Sequence, residues 1–107
     1  MMKISFDFDD CLSEEWIQQL AKTLSLEHEI WIVTSRSKLA IDLLEVATNL
    51  CIPTERIVLT DGAMKWSSLN HYCIDVHYDD MWDEIMEINC RKKCKGILIG
   101  FDNVEFI

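Results

Sequence analysis

Apolar runs of strand length alternate with stretches of helical periodicity along the chain, and this alternation restricts the fold more than any other feature of the sequence. Lys3 to Phe8 is a short apolar run ending in acids, the pattern of a buried parallel strand. Ser13 is placed to cap a helix, with Glu14 and Glu15 in its first turn suiting the dipole and Trp16, Ile17, Leu20, Ala21 and Leu24 on one face. Glu29 to Thr34 is the clearest strand. Ser37 is placed to cap a second helix, whose apolar face holds Ala40, Leu43, Leu44, Ala47 and Leu50 and which Pro53 closes. Arg56 to Leu59 predicts a third strand, Thr60-Asp61-Gly62 a turn, and the stretch carrying Met64, Lys65 and Leu69 a short helix. Tyr72 to Tyr78 predicts a fourth strand, and Asp80 the cap of a helix with Met81, Trp82, Ile85 and Met86 on one face. Gly96 to Phe101 predicts a fifth strand, after which Asp102-Asn103 signals a turn and Val104 to Ile107 a short edge strand.

Strands alternating with helices imply a parallel sheet with right-handed crossovers and helices on its faces. The expected fold is therefore α/β: a three-layer Rossmann-like domain over residues 1–107, with about five mainly parallel strands flanked by helices and no cap domain. A chain of 107 residues has room for one such domain, and with half its residues hydrophobic it can build a real core. Three Gly and one Pro leave little for linkers, and no internal repeat is visible.

The formal net charge of -9 repels polyanions, which disfavours nucleic acid and anionic membranes without excluding a phosphorylated substrate held by a local cation. Five cysteines, Cys11, Cys51, Cys73, Cys90 and Cys94, are an odd number scattered through apolar stretches, as expected of small buried hydrophobes in a reducing compartment. Cys90 and Cys94 lack the second Cys/His pair that a zinc site requires. The opening Met-Met-Lys-Ile-Ser-Phe-Asp turns acidic at once, so no signal peptide is expected, and no apolar run reaches membrane-spanning length. The expected location is cytoplasmic.

In an open α/β sheet, ligands bind outside the carboxyl ends of the strands. At those ends this sequence sets Asp7 and Asp9 after strand one, Thr34, Ser35 and Arg36 after strand two, Lys65 after the turn that follows strand three, and Asp79 and Asp80 after strand four. Asp7 and Asp9 share a parity and are expected to lean to one side. Two carboxylates ~4 Å apart repel by roughly 4 kcal/mol at an effective dielectric near 20. A divalent cation or the protonation of one carboxyl would relieve a cluster of this kind, and oxygen-only ligands point to Mg2+ rather than zinc. Each residue also has an ordinary reading: Asp10 and Asp80 as helix caps, Thr34 as a strand-end hydroxyl, Lys65 as a solvated lysine. Arg36 suits a second substrate anion and equally well capping or a surface salt bridge. His77 is expected to be a packed strand residue, and Trp66 either stacks at the site rim or packs in the core.

The order of these groups carries a resemblance. Asp7-Phe8-Asp9-Asp10-Cys11-Leu12 after Lys-Ile-Ser-Phe resembles the first motif of the haloacid dehalogenase (HAD) superfamily, Asp-x-Asp-x-Thr/Val-Leu. Ile-Trp-Ile-Val-Thr34 resembles the second, Lys65 after Thr-Asp-Gly the third, and Val76-His77-Tyr78-Asp79-Asp80 the fourth. The resemblance implies phosphoryl transfer through an aspartyl-phosphate, with Asp7 as nucleophile and Asp9 as general acid/base. It also implies that Thr34 and Lys65 hold the phosphoryl group; Ser35 and Arg36, which directly follow Thr34, are further candidate substrate contacts by position. Asp7, Asp9 (through its carbonyl) and the Asp79/Asp80 pair would then hold Mg2+. Cys11 departs from the usual Thr or Val. The short segment after motif one leaves little room for a flap, and no insertion is long enough for a cap. Water exclusion from an open site of this kind comes from a bulky phosphorylated substrate, from a homo-oligomer neighbour, or does not occur. Two other functions fit less of the pattern: a degenerate HAD-like binding protein, and a receiver domain phosphorylated on Asp61, for which the hydroxyl and the lysine come in the wrong order.

Overall fold

A computed structural model describes residues 1–100 and the backbone of the strand at 104–106. Six strands, β1 (Lys3–Phe6), β2 (Glu29–Thr34), β3 (Ile57–Leu59), β4 (Val76–Asp79), β5 (Lys95–Ile99) and β6 (Val104–Phe106), form one sheet in the order β3-β2-β1-β4-β5-β6. The first five are parallel, and β6 pairs antiparallel to β5 at the edge. The helices are α1 (Glu15–Leu24), α2 (Ile41–Asn49), α3 (Trp66–His71) and α4 (Trp82–Arg91). Phe101, the expected turn at Asp102-Asn103, and Ile107 lie outside the described residues.

Alternating side chains sort the sheet into two faces. Ile4, Phe6, Ile30 and Ile32 pack with Ile17 and Ala21 of α1 and Leu43 and Ala47 of α2. Trp31 and Val33 point the other way and pack with Leu69 of α3 and Ile85 and Ile88 of α4. The expected three-layer, Rossmann-like α/β architecture without a cap is what forms. The chain runs outward through β1, β2 and β3 and then returns to lay β4 on the other side of β1, so the strand order reverses between β1 and β4. Such a reversal opens a crevice at the strand ends.

Several boundaries differ from expectation for local reasons. β1 stops at Phe6 rather than Phe8, because the chain turns there: Asp10 takes a left-handed φ of 55° and Phe8 folds back into the core. β4 begins at Val76 rather than Tyr72, since Tyr72 to Asp75 serve to end α3 and Cys73 adopts φ 57°. None of the three expected caps forms. Glu14, Ala40 and Met81 occupy the N-cap positions of α1, α2 and α4, without side-chain cap bonds. α4 buries the Glu84, Ile85 and Ile88 side, leaving Trp82 and Met86 in solvent. Of the five cysteines only Cys11 and Cys94 are buried. Among the described residues, no helix is long and apolar enough to cross a membrane.

Candidate functional site

The strand reversal sets β1 beside β4, with Ser5 opposite His77 and Phe6 opposite Tyr78. One residue further on, the Asp7 N–H donates to the Tyr78 carbonyl at 2.9 Å, which holds Asp7 alongside the Asp79 end of β4. Ser5, Asp7, His77 and Asp79 have the parity opposite to Ile4 and Phe6, so they line the α3/α4 face of the sheet, and all four are buried.

Lys65, the residue before α3, closes this line. It is 2% exposed, and its Nζ lies 3.0 Å from Asp7 Oδ1 and 2.5 Å from Asp79 Oδ2. Its backbone N–H donates to Glu84 Oε1 at 3.1 Å, so α4 fixes the start of α3 through a buried acid. Asp80 follows Asp79 and, instead of capping α4, turns inward. The carboxylate oxygens of Asp7, Asp79 and Asp80 come within 4.8 Å of one another. The cap-like contact at α4 is made by Asp79, whose Oδ1 accepts the Met81 N–H at 3.1 Å.

The electrostatics follow from burial and from which acid has a cation. Burial drives Asp79 upward, but its bonds to His77 and Lys65 outweigh this and hold it well below the usual carboxylate range. Burial, then the charge of Asp79, raises Asp7 despite Lys65. Asp80 is pushed up to about 7 by burial and by the charges of Asp7 and Asp79, and a hydrogen bond to Asp7 helps to hold its proton. Lys65 is raised in turn, its two carboxylates more than offsetting desolvation. Three carboxyls against one ammonium leave excess negative charge in a buried spot, and the proton on Asp80 relieves it. An all-oxygen, carboxylate-rich donor set is also the chemistry that suits a divalent cation such as Mg2+, so the residues present fit that ion.

The other four expected members, Asp9, Thr34, Ser35 and Arg36, have separate partners. The Asp9 carboxylate, 55% exposed, is taken in a two-pronged bond by Arg36, with Nη2 2.7 Å from Oδ1 and Nε 2.9 Å from Oδ2. The parity argument for Asp9 assumed a strand running through it, whereas the chain has already turned. The same guanidinium bonds both oxygens of Asp42 at 2.8 and 2.9 Å and lies 4.8 Å over the Phe8 ring. Bonded first of all to Asp9 and then to Asp42, Arg36 titrates above its ordinary range, and Asp42 titrates below its own because of Arg36. Arg36 is therefore the centre of a surface ion-pair group rather than a free anion contact. Thr34 is fully buried at the end of β2, its Oγ1 accepting the Arg36 N–H at 3.4 Å. Ser35 is exposed, and its carbonyl accepts the Gly62 N–H at 2.9 Å.

Sequence reasoning missed three residues of the buried network. His77, expected only to pack, has Nδ1 2.6 Å from Ser5 Oγ and Nε2 2.8 Å from Asp79 Oδ2. Ser5 and Glu84 were not singled out at all. The available signal was spacing: Ser5 stands two before Asp7 and His77 two before Asp79, so each shares its acid's face. Trp66, by contrast, packs against the α3/α4 core with Arg91 stacked 3.5 Å from its ring. Beside Asp80, a cavity of ≈ 350 Å³ opens between Asp10, Glu14, Trp16, Ile99 and Gly100. No family model matches the chain, and no curated protein or solved structure is significantly similar to it.

Proposed function

We propose that the protein is a Mg2+-dependent phosphomonoester hydrolase of the haloacid dehalogenase type, acting through an aspartyl-phosphate on Asp7. The meeting of Asp7, Asp79 and Asp80 within 4.8 Å at the reversal of strand order, with Lys65 bound to two of them, carries this reading. Phosphoryl transfer asks mostly for positioning and charge stabilisation, which buried, mutually hydrogen-bonded groups on rigid strand ends supply. Mg2+ held by Asp7, Asp79 and Asp80 would neutralise the approaching phosphate and the carboxylates together.

An Asp7 carboxylate oxygen attacks phosphorus, the bond from phosphorus to the ester oxygen breaks, and the leaving alcohol takes a proton from Asp9. Water then attacks the phosphorus, gives its proton to Asp9, and releases inorganic phosphate from Asp7. Lys65 stabilises the charge on Asp7 and on the transferring group throughout, and Thr34 offers its hydroxyl to a phosphoryl oxygen. Asp9 takes part once its carboxylate leaves Arg36 and takes up a proton from solvent, a change open to a side chain that is more than half exposed. The site has no cap. The exposed Met64 and the exposed pair Met81 and Trp82 directly flank Lys65 and Asp80 in the chain, which favours a bulky substrate that covers them.

A second reading is binding of metal or phosphate without turnover, and the Asp9–Arg36 pair favours it, because it holds the acid/base away from Asp7. Hydrolysis of p-nitrophenyl phosphate with and without Mg2+ separates the two. The expected result is Mg2+-dependent release of phosphate that Asp7→Asn abolishes. Mg2+ binding without release in the wild type overturns the hydrolase and leaves the binding protein.

A further inference from the structure

Asp79 is the most heavily bonded acid of the cluster, and the source of one of its bonds lies deep under the sheet. Oδ2 is shared by Lys65 Nζ and His77 Nε2, while Oδ1 accepts the Met81 N–H. His77 in turn reaches Ser5 Oγ on the neighbouring strand at 2.6 Å, and Ser5, His77 and Asp79 are all fully buried. An ionised carboxylate only accepts, so the contact at Nε2 requires the proton of the ring to sit there. In the neutral ring Nδ1 is then the acceptor, and the Ser5 hydroxyl donates to it. Every atom of the chain Ser5–His77–Asp79 has one role, and that fixes the ring plane and the rotation of the carboxylate about its Cβ–Cγ bond.

We infer that Ser5 and His77 are positioning residues for the metal centre: they hold the Asp79 carboxylate in the orientation that brings it within 4.8 Å of those of Asp7 and Asp80. The inference rests on the proposed Mg2+ site and adds to it the two buried residues that orient one of its ligands. A Ser–His pair kept inside a sheet for packing alone has no such consequence, since an apolar pair of similar shape fills the same space without polar groups to satisfy. Lys65 by itself does not fix the orientation, because it binds Asp7 as well and can follow either carboxylate.

Mg2+ binding to the full-length protein, measured by titration calorimetry alongside thermal melts, tests this. His77→Leu is expected to weaken Mg2+ binding by about tenfold or more, the usual size of such effects on a metal ligand's support. His77→Gln keeps an N–H near the position of Nε2 and is expected to recover most of that loss. His77→Leu also leaves the Ser5 hydroxyl without its partner, so the double variant Ser5→Ala/His77→Leu is expected to regain stability but not affinity. If the double variant binds Mg2+ as tightly as wild type, His77 and Ser5 serve packing only and the inference is overturned while the metal site stands. If wild type itself binds no Mg2+, both the site and its positioning residues are overturned together.

Discussion

The Lys65 ammonium lies 3.0 Å from Asp7 Oδ1 although the two residues come from different layers of the fold, one from the end of a central strand and the other from the start of a helix. Both are almost wholly removed from solvent, so the pair differs in kind from a surface salt bridge. Taking away the ammonium leaves Asp7 and Asp79 facing each other with no counter-charge, a situation that typically costs about 3–5 kcal/mol. Lys65→Met is therefore expected to lower the unfolding free energy by about 3 kcal/mol in metal-free buffer, read from the urea midpoint at constant m-value. A loss under about 1 kcal/mol would mean that the acids take up protons at no cost and that the lysine carries little of the site.

Arg36 gives the contrasting case. It contacts as many carboxylates as Lys65, but Asp9 and Asp42 are more than half exposed, so solvent and salt screen the group. Arg36→Ala should change stability by less than about 1 kcal/mol. Its effect should fall on turnover: with Asp9 released, kcat for an aryl phosphate is expected to rise while the Mg2+ dissociation constant stays put. A fall in kcat accompanied by a higher KM would instead assign Arg36 to the substrate phosphate.

The pH dependence follows from Asp80. Its carboxyl is pushed from an ordinary 3.8 up to about 7, so the folded protein binds that proton more tightly than the unfolded chain does. The stabilisation from this group is complete below pH 3.8 and is lost as pH rises through about 7. Asp7 is shifted in the same direction, and Asp79, held low, acts oppositely by losing its contribution only in more acidic solution. Half-burial of Asp80 lets solvent screen the effect to about 1 kcal/mol, a few degrees of Tm. In EDTA the wild type should melt lower at pH 7.5 than at pH 5.5, and Asp80→Asn should flatten that slope. Added Mg2+ should restore the wild type at pH 7.5 and leave the variant unaffected. A variant with the wild-type slope would locate the excess charge elsewhere.

Thiol chemistry gives a check on the fold that is independent of any function. Cys51, Cys73 and Cys90 are exposed, whereas Cys11 and Cys94 are buried. Burial pushes the Cys94 thiol up to about 12, and burial together with the charges of Asp7 and Asp79 raises Cys11 as well. Ellman's reagent at pH 8 should therefore titrate three thiols quickly, with the remaining two following only after denaturation. Fast reaction at Cys11 would contradict the closed packing under Asp7.

How much of this was legible in the sequence depends on how local the deciding forces are. Glu29 to Thr34 was readable to the residue, because a β-branched and aromatic run between polar ends has few alternatives, and the buried side of α1 follows from its own periodicity. The meeting of Asp7 with Asp79 and Asp80 could be anticipated from the alternation of elements, since a parallel sheet collects strand ends on one rim. The caps could not be read this way. Ser13, Ser37 and Asp80 are all good cap residues, yet Asp80 was drawn off by the acid cluster, and the stretch before α2 is occupied by the Arg36 ion pairs. Asp9 was misjudged for a similar reason: its position depends on a turn at Asp10 and on an arginine 27 residues away. His77 was visible but read as packing, because its partner Ser5 lies 72 residues away and only the pairing of β1 with β4 brings them together.

That pairing also governs when the site comes into being. β1 is laid down first but stays incomplete on one side until β4 arrives after two excursions to the opposite half of the sheet. A growing chain carries Asp7 for some seventy residues before Asp79 and Asp80 exist to meet it, and closing so long a loop is among the slower steps of folding. Capture of a divalent ion would accordingly be a completion signal. It would mark the molecules in which both halves of the sheet have joined.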